Sequence, residues 1–502
     1  MKFEFREAAA LPRLAWCARL ERGSSTVALT HGPGVETGQG FFVEGAWDGR
    51  YPEARFDRTC LLMGSGGKIV GQRAVFATPC HTLERLHLAR CGTSLFVSNS
   101  LPFLLEAAGL QLDLKYPRYR SDLWSIVHGL RRCTKQMPTR TGPMVRLCYF
   151  CNVEVGADLQ IIEYAKVAPP AWNTFGEYRR FLVDGLNAVR ENAAAPERRA
   201  SYDLLTTISS GYDSPATAAL VAEIGCQRAV TFRTGVRYLD DGKEVEDSGA
   251  AIARRLGLEV REFSREDHLA SDEVAPAEFA ACGDAYDSQL AAFERDLTRK
   301  MLFTGFHGGR VWNRQERRPS PQILRGDPSG SSLGEFRLRV GFLHVPLPFF
   351  GAVRHPTIYA ISNSAEMLPW TLGNAYDRPI PRRIVEEAGV PRELFGQSKK
   401  GSFAAVDVSR LPSFEALYQR RRRECGRLAR ALALAKYRAA VAAVTCTQTA
   451  RWLGLPHALQ LLRWDIVPPG RPSLLVQWGN AVLQERYRAA CAVAEERSLD
   501  VV

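Results

Sequence analysis

Short apolar runs separated by Gly and Pro fill residues 1 to about 165: Thr26-Val-Ala-Leu29, Gly40-Phe-Phe-Val43, Cys60-Leu-Leu-Met63, Ala74-Val-Phe-Ala77, Ser94-Leu-Phe-Val97 and Val145-Arg-Leu-Cys-Tyr-Phe150. Runs this short predict strands, hence an all-β or α+β unit. The period then changes. After Pro169, Pro170 and Trp172, a hinge-like stretch, Phe175, Tyr178, Phe181, Leu182, Leu186 and Val189 recur near helical spacing and predict a helix from Thr174 to about Glu191. From 203 to about 305 the pattern alternates. It predicts strands at 203–208, 229–233, 258–263 and 301–305, with helices at 215–225, 244–257 and through 273–299 between them. Such alternation argues for a parallel sheet with helices on both faces. A helix is also expected at about 377–389, and helical stretches at 412–443 and 480–496. The chain thus reads as an α/β protein in three parts, 1–168, 172–410 and 411–502.

The first predicted strand of the alternating region runs into Ser209-Ser-Gly-Tyr-Asp-Ser214 and then an Ala-rich helix. Ligands in parallel sheets sit beyond the carboxyl ends of the strands. A helix N-terminus offers orphan amides and the positive end of a dipole, which favour an anion. Asp213 could hold Mg²⁺ on phosphates, since Mg²⁺ takes one or two carboxylates plus phosphate oxygens. Taken alone, the loop reads equally well as an ordinary strand-to-helix turn. Two later segments bear on that choice. Leu302-Phe-Thr-Gly-Phe-His-Gly-Gly-Arg310 is a second strand entering a glycine-dense turn, whose backbone could approach a ligand closely. Gln397-Ser-Lys-Lys-Gly-Ser-Phe403 puts lysine on a glycine-containing loop, a suitable cation for departing pyrophosphate.

Charge and cysteines narrow the class. The net charge of +12 comes from 66 Lys+Arg against 54 Asp+Glu among 502 residues, a bias that suits an anionic ligand such as ATP. Twelve scattered cysteines include one CxxC, Cys148 to Cys151, with no second pair to complete a zinc site. They read as reduced thiols of a cytoplasmic protein. The first residues lack a signal peptide's apolar stretch, and no apolar run reaches the roughly 18 residues of a membrane span. The basic run Arg420 to Arg423 reads as a solvated face, though it could also meet tRNA or an acidic peptide. No aromatic interleaving of the kind that stacks single-stranded nucleic acid accompanies it.

The order Ser-Ser-Gly-Tyr-Asp-Ser, Thr-Gly-Phe-His-Gly-Gly, Ser-Lys-Lys-Gly-Ser-Phe resembles the synthetase half of asparagine synthetases and of their relatives, β-lactam synthetases and lasso-peptide cyclases. The resemblance covers about residues 90–403 and is specific at the first and last motifs. Supporting segments are Lys243 to Gly257, Asp284-Ala-Tyr-Asp-Ser288, Leu95 to Leu105 and Val127 to Arg132. It implies a degenerate N-terminal-nucleophile glutaminase-like α+β domain, then a PP-loop synthetase domain with a helical C-terminal part. It implies ATP and Mg²⁺ as cofactors and Ile208, Ser209, Ser210, Gly211, Asp213, Ser214, Phe232 and Gly305 as nucleotide-binding residues. Asp213 is then the metal ligand, Lys399 the cation on pyrophosphate, and His307 a candidate general base because an ordinary imidazole titrates near neutrality.

The departures shape the expected chemistry. Residue 2 is Lys where glutamine-hydrolysing relatives place their nucleophilic Cys, and Cys17 has no free amine to act as base. Ser210 stands at the family's first glycine, Phe306 lacks a tyrosine hydroxyl, and Gly309-Arg310 replaces an acidic metal ligand. The expectation is therefore AMP-forming activation of a carboxylate, then amide or lactam formation with an amine and no glutamine hydrolysis, in specialised metabolism. Small-molecule or peptide substrates, a peptide-binding partner protein and no membrane follow from the same reading. Two rivals stay open: a PP-loop enzyme adenylating a nucleobase or tRNA, and a nucleotide-binding partner protein with impaired catalysis.

Overall fold

Each apolar run named above for the N-terminal region contributes to a strand. The strands are β1 (Lys2–Glu7), β2 (Trp16–Glu21), β3 (Thr26–His31), β4 (Glu36–Gly38), β5 (Phe41–Trp47), β6 (Leu62–Val70), β7 (Arg73–Ala77), β8 (Leu86–Cys91), β9 (Ser94–Ser98), β10 (Gln136–Met137), β11 (Val145–Cys148), β12 (Cys151–Gly156) and β13 (Ile161–Ala165). In the computed structural model, which describes residues 1–499 apart from 238–242, 271–273, 284–286, 402–406 and most of 427–470, they form two sheets. One is seven-stranded, β1-β3-β2-β9-β8-β11-β10, and the other six-stranded, β13-β12-β7-β6-β5-β4.

Period-2 alternation sorts the side chains between faces. Trp16, Ala18, Leu20, Leu88 and Val97 join Phe42, Phe76 and Val153 in the core between the sheets, where Trp16 stacks on Phe76 at 6.0 Å. Cys17, Ala89 and Phe96 face the other way and pack with Leu101, Phe103 and Leu104 of the helix Leu101–Ala107. The helix Phe175–Ala193 lies against β5 on the far side of the second sheet. It begins at Thr174, whose side chain and that of Glu177 form a reciprocal capping box. The preceding Pro-rich stretch is clamped, which corrects its reading as a hinge: Trp172 is buried and stacks on Phe181 at 4.6 Å, and Arg354 donates to the Pro169 carbonyl at 2.8 Å.

The alternating region forms β14 (Asp203–Thr207), β15 (Arg228–Phe232), β16 (Thr234–Arg237), β17 (Glu244–Glu246), β18 (Glu259–Phe263), β19 (Lys300–Thr304), β20 (Leu343–Pro346) and β21 (Lys400–Gly401). Five of these make a wholly parallel sheet, β18-β15-β14-β19-β20. The helix Asp213–Glu223 packs on one face, and Phe279 and Phe336 from the helices Val274–Ala281 and Gly334–Val340 join the core of the other. The chain runs outward from β14 through β15 to β18, then returns to the other side of β14 as β19. The sheet therefore has a topological switch point between β14 and β19, where a crevice opens.

Two expectations change. The span 244–257 is not one helix: Glu244–Glu246 pairs with β16, and only Ala250–Arg255 is helical. The C-terminal helix starts earlier than expected, as Leu475–Leu499, and serves both halves of the molecule. Asn480 donates to the Ala281 carbonyl at 3.1 Å, while Tyr487 stacks on Phe103 at 4.7 Å and Arg488 pairs with Glu106 at 2.8 Å. Of the expected 412–443 stretch, Pro412–Glu424 is a helix, and most of the remainder lies outside the described residues, as do Trp464 to Pro469. Within the basic run, Arg420 pairs with Glu424 at 3.1 Å and Arg421 donates to Ser473 at 2.7 Å.

Candidate active site

A cleft of about 470 Å³ opens at the switch point, within the range of small-molecule sites. Ile208, Ser209, Gly211, Asp213 and Ser214 line it from the end of β14, Gly305 and His307 from the end of β19, Phe232 from the end of β15, and Lys399 from the loop before β21. The segments at 209–214, 305–310 and 399–401, far apart in the chain, therefore meet. Ser210 alone among the expected residues points elsewhere. Its hydroxyl donates to Asp247 Oδ1 at 2.6 Å and accepts from Lys400 Nζ at 2.8 Å. Ser210 is thus a latch between the first loop and the strand that carries Lys400. Two backbone contacts reinforce it: Gly396 N–H donates to the Ser210 carbonyl at 2.9 Å, and β21 pairs with β16.

The first loop is held by its own hydroxyls. Ser209 and Ser214 hydroxyls are 2.8 Å apart, and Gly211 N–H donates to Ser209 Oγ at 3.3 Å. Tyr212 points back into the protein, where it accepts from buried Arg382 and contacts Tyr376 and Phe395. Asp213 opens the helix Asp213–Glu223, at the positive end of its dipole. Burial pushes the Asp213 carboxyl up to about 6, against the opposing pull of Arg378, Lys399 and the Gly309 N–H. Its Oδ1 is buried without a hydrogen-bond partner among the described residues. An orphaned carboxylate oxygen facing a cleft is a fit place for a hard cation.

The glycine-dense turn works differently from expectation. A Cβ on Gly305 would stand 2.6 Å from Asp213 C and Ser214 N, and one on Gly308 2.6 Å from Asp213 Cγ. These glycines let the second loop close onto Asp213 itself rather than onto a ligand. His307 sits in the left-handed region, φ 77°, with its ring stacked on Phe349 at 4.5 Å. Burial, together with Arg325, His355 and Arg310, lowers its imidazole well below the usual range. The premise of a near-neutral histidine is therefore corrected: the ring is uncharged at neutral pH. Arg310 lines the cleft and pairs with Glu316 at 2.9 Å. Lys399 is exposed and makes no hydrogen bond to another described residue.

Among the other lining residues Arg378 carried no sequence signal, whereas Asp247 and Asp287 belong to the supporting segments Lys243 to Gly257 and Asp284 to Ser288. Arg378 donates to Asn313 at 2.6 Å and to the Gly309 carbonyl at 3.2 Å, which places its cation near Asp213. Asp247 ties Ser210 to the lysine loop, and Asp287 accepts from Gly330 N–H and the Ser332 hydroxyl on the cleft wall. Asp284 lies outside the described residues. Arg310, Arg325, Arg378, Lys399 and Lys400 face Asp213, Asp247, Asp287, Glu316 and Asp327 around the cleft, so formal charge there balances. Burial raises the carboxyls of Asp213, Asp247 and Asp287 above their ordinary range. Ile208, Val230, Phe232, Leu290 and Phe293 form an apolar end, with Phe232 stacked on Phe293 at 4.6 Å. No cysteine lines the cleft among the described residues; Cys226 and Cys282 are buried elsewhere. No helix is long and apolar enough to cross a membrane among the described residues. No protein-family model matches the chain, and no curated protein matches its sequence.

Proposed function

We propose that the protein activates a carboxylate with ATP, releasing pyrophosphate, and then joins it to an amine without hydrolysing glutamine. One observation carries the reading: three segments distant in sequence, the Ser209–Ser214 loop, the glycine turn at 305–310 and the lysine loop at 399–401, converge at the switch point around an oxygen of Asp213 that has no hydrogen-bond partner among the described residues. The absence of a thiol from the described cleft wall favours this reading over nucleobase thiolation, which needs a cysteine near the nucleotide.

Magnesium, when bound through Asp213, would neutralise charge on the phosphates. The remaining work belongs to the chain. The apolar end at Val230, Phe232 and Leu290 takes the adenine, and the first turn of the helix Asp213–Glu223 supplies amides to the phosphates. The substrate carboxylate oxygen attacks the α-phosphorus and the bond to the bridging β-phosphate oxygen breaks. Lys399 and Arg378 stabilise the negative charge that develops on the departing pyrophosphate. The amine nitrogen then attacks the acyl carbon, the bond between that carbon and the phosphate oxygen breaks, AMP leaves and the amine's surplus proton passes to solvent. His307, uncharged, accepts a hydrogen bond from the attacking amine and orients it. In this reading the N-terminal pair of sheets is a glutaminase-like scaffold.

The test is pyrophosphate release from ATP with a panel of carboxylates and amines. Release that requires Mg²⁺ and is lost in Asp213→Asn supports the proposal. Tight ATP binding with no release from any pair would instead identify a nucleotide-binding partner protein.

A further inference from the structure

The crossing between the two N-terminal sheets holds chemistry that the cleft does not use. β11 ends at Cys148 in the seven-stranded sheet, and β12 begins at Cys151 in the six-stranded one. The two thiols therefore flank the turn that carries the chain from sheet to sheet, with Phe150 at φ 50° completing it. A third group arrives from the edge strand β13. Val153 pairs with Glu163 and Cys151 with Ala165, so alternation puts the Glu163 carboxylate on the same face as Cys151. Cys148 Sγ donates to Glu163 Oε1 at 3.2 Å, and Cys148, Cys151 and Glu163 present ligand atoms all within 4.8 Å of one another. The thiols are buried and free, while the carboxylate stands at the solvent-facing rim.

The geometry points to a Zn²⁺ site formed by Cys148, Cys151 and Glu163, with a fourth position open to water or an external donor. Two thiolates and a carboxylate are a donor set that zinc accepts, and three protein ligands leave tetrahedral coordination incomplete. Binding releases the two thiol protons and leaves one net negative charge on the site. Arg146, whose Nε is 2.8 Å from Glu163 Oε1, offsets that charge. The ion takes one ligand from the first sheet and two from the second, so it staples the sandwich at its rim. The sequence hid the third ligand because only strand register brings Glu163 beside the CxxC.

The experiment uses the full chain, reduced and stripped with chelator, titrated with Co²⁺ as a spectroscopic stand-in for Zn²⁺. The expected result is one Co²⁺ per chain with thiolate-to-cobalt charge transfer and the visible bands of tetrahedral cobalt, both displaced by Zn²⁺. Cys148→Ser and Cys151→Ser remove the charge transfer, and Cys91→Ser leaves it unchanged. Glu163→Gln, at the surface, keeps the metal-free melting temperature and weakens Co²⁺ binding by at least roughly tenfold, the lower end of what even an outer partner of a metal site contributes. Absence of charge transfer overturns the site. So does Co²⁺ affinity indifferent to Glu163→Gln, which would leave Glu163 as an edge-strand charge paired with Arg146. A reduced chain that reoxidises to lose two hydrogens at Cys148 and Cys151, and then refuses metal, would assign the pair to a disulfide instead.

Discussion

Alanine at Gly305, Gly308 and Gly309 grades the packing of the second loop on Asp213. On Gly305 the new Cβ would lie 2.6 Å from Asp213 C and Ser214 N and 2.9 Å from Asp213 O. Those are backbone atoms and cannot rotate away, so the ends of β14 and β19 must separate. Overpacking of this kind costs roughly 1–3 kcal/mol. If the strain is relieved by spreading the cleft, nucleotide affinity falls roughly 5- to 150-fold. On Gly308 the Cβ meets Asp213 Cγ at 2.6 Å, Cβ at 2.7 Å and Oδ1 at 2.8 Å; the carboxylate can rotate, but Asp213 Cβ is fixed to its backbone. Stability then falls as well, the carboxylate is turned out of place and cation-dependent binding is lost. On Gly309 the nearest atom is Asp213 Oδ2 at 3.4 Å, an ordinary contact, and the change stays within about 0.5 kcal/mol. Thermal melting combined with calorimetric titration of ATP, with and without Mg²⁺, reads both quantities. Gly305→Ala that melts and binds like Gly309→Ala would refute the reasoning.

Three further outcomes follow from the same cleft. Because burial raises the Asp213 carboxyl from 3.8 to about 6, the folded state holds that proton to higher pH than the unfolded chain, and stability falls as pH rises through that window. Asp213→Asn should therefore melt higher than the parent above pH 6, the gap closing as pH falls toward 3.8, while Mg²⁺-dependent nucleotide binding disappears. Ser210→Ala removes the hydroxyl between Asp247 Oδ1 and Lys400 Nζ, at 2.6 and 2.8 Å, and should cost about 1–3 kcal/mol in urea unfolding. Lys399→Ala should leave the melting temperature unchanged, since the side chain is exposed and makes no hydrogen bond to another described residue, yet slow pyrophosphate release roughly 10²–10³-fold.

Most of the central sheet was legible because β14, β15 and β19 are apolar runs, and these and β18 alternate with helices or turns. β20 escaped notice, since Leu343–Pro346 is short and merges with the apolar Leu347 to Phe350 that follows. The small sheet was illegible for a different reason. Glu244–Glu246 and Lys400–Gly401 are strands of three and two residues, stabilised by pairing with β16 rather than by any pattern of their own. That pairing is what delivers the lysine loop to the cleft. Within the site, the motifs named Asp213 and Lys399, but long-range contacts decided what surrounds them. Ser210 looked like a flawed glycine until Asp247 and Lys400 gave its hydroxyl partners. Arg378 reads in the sequence as one basic residue before a proline, and only its bonds to Asn313 and the Gly309 carbonyl turn it toward Asp213. His307 shows the limit of reasoning from an ordinary pKa, because its burial against Phe349 decides its charge.

The central claim is that the substrate carboxylate attacks the α-phosphorus of ATP in this cleft. It is tested most directly by turning over a carboxylate labelled with heavy oxygen and locating the label by mass spectrometry. The account predicts one labelled oxygen in AMP, with unlabelled pyrophosphate as the other product. Label in inorganic phosphate alongside ADP would place the attack at the γ-phosphorus, and amide product with unlabelled AMP would contradict the account outright.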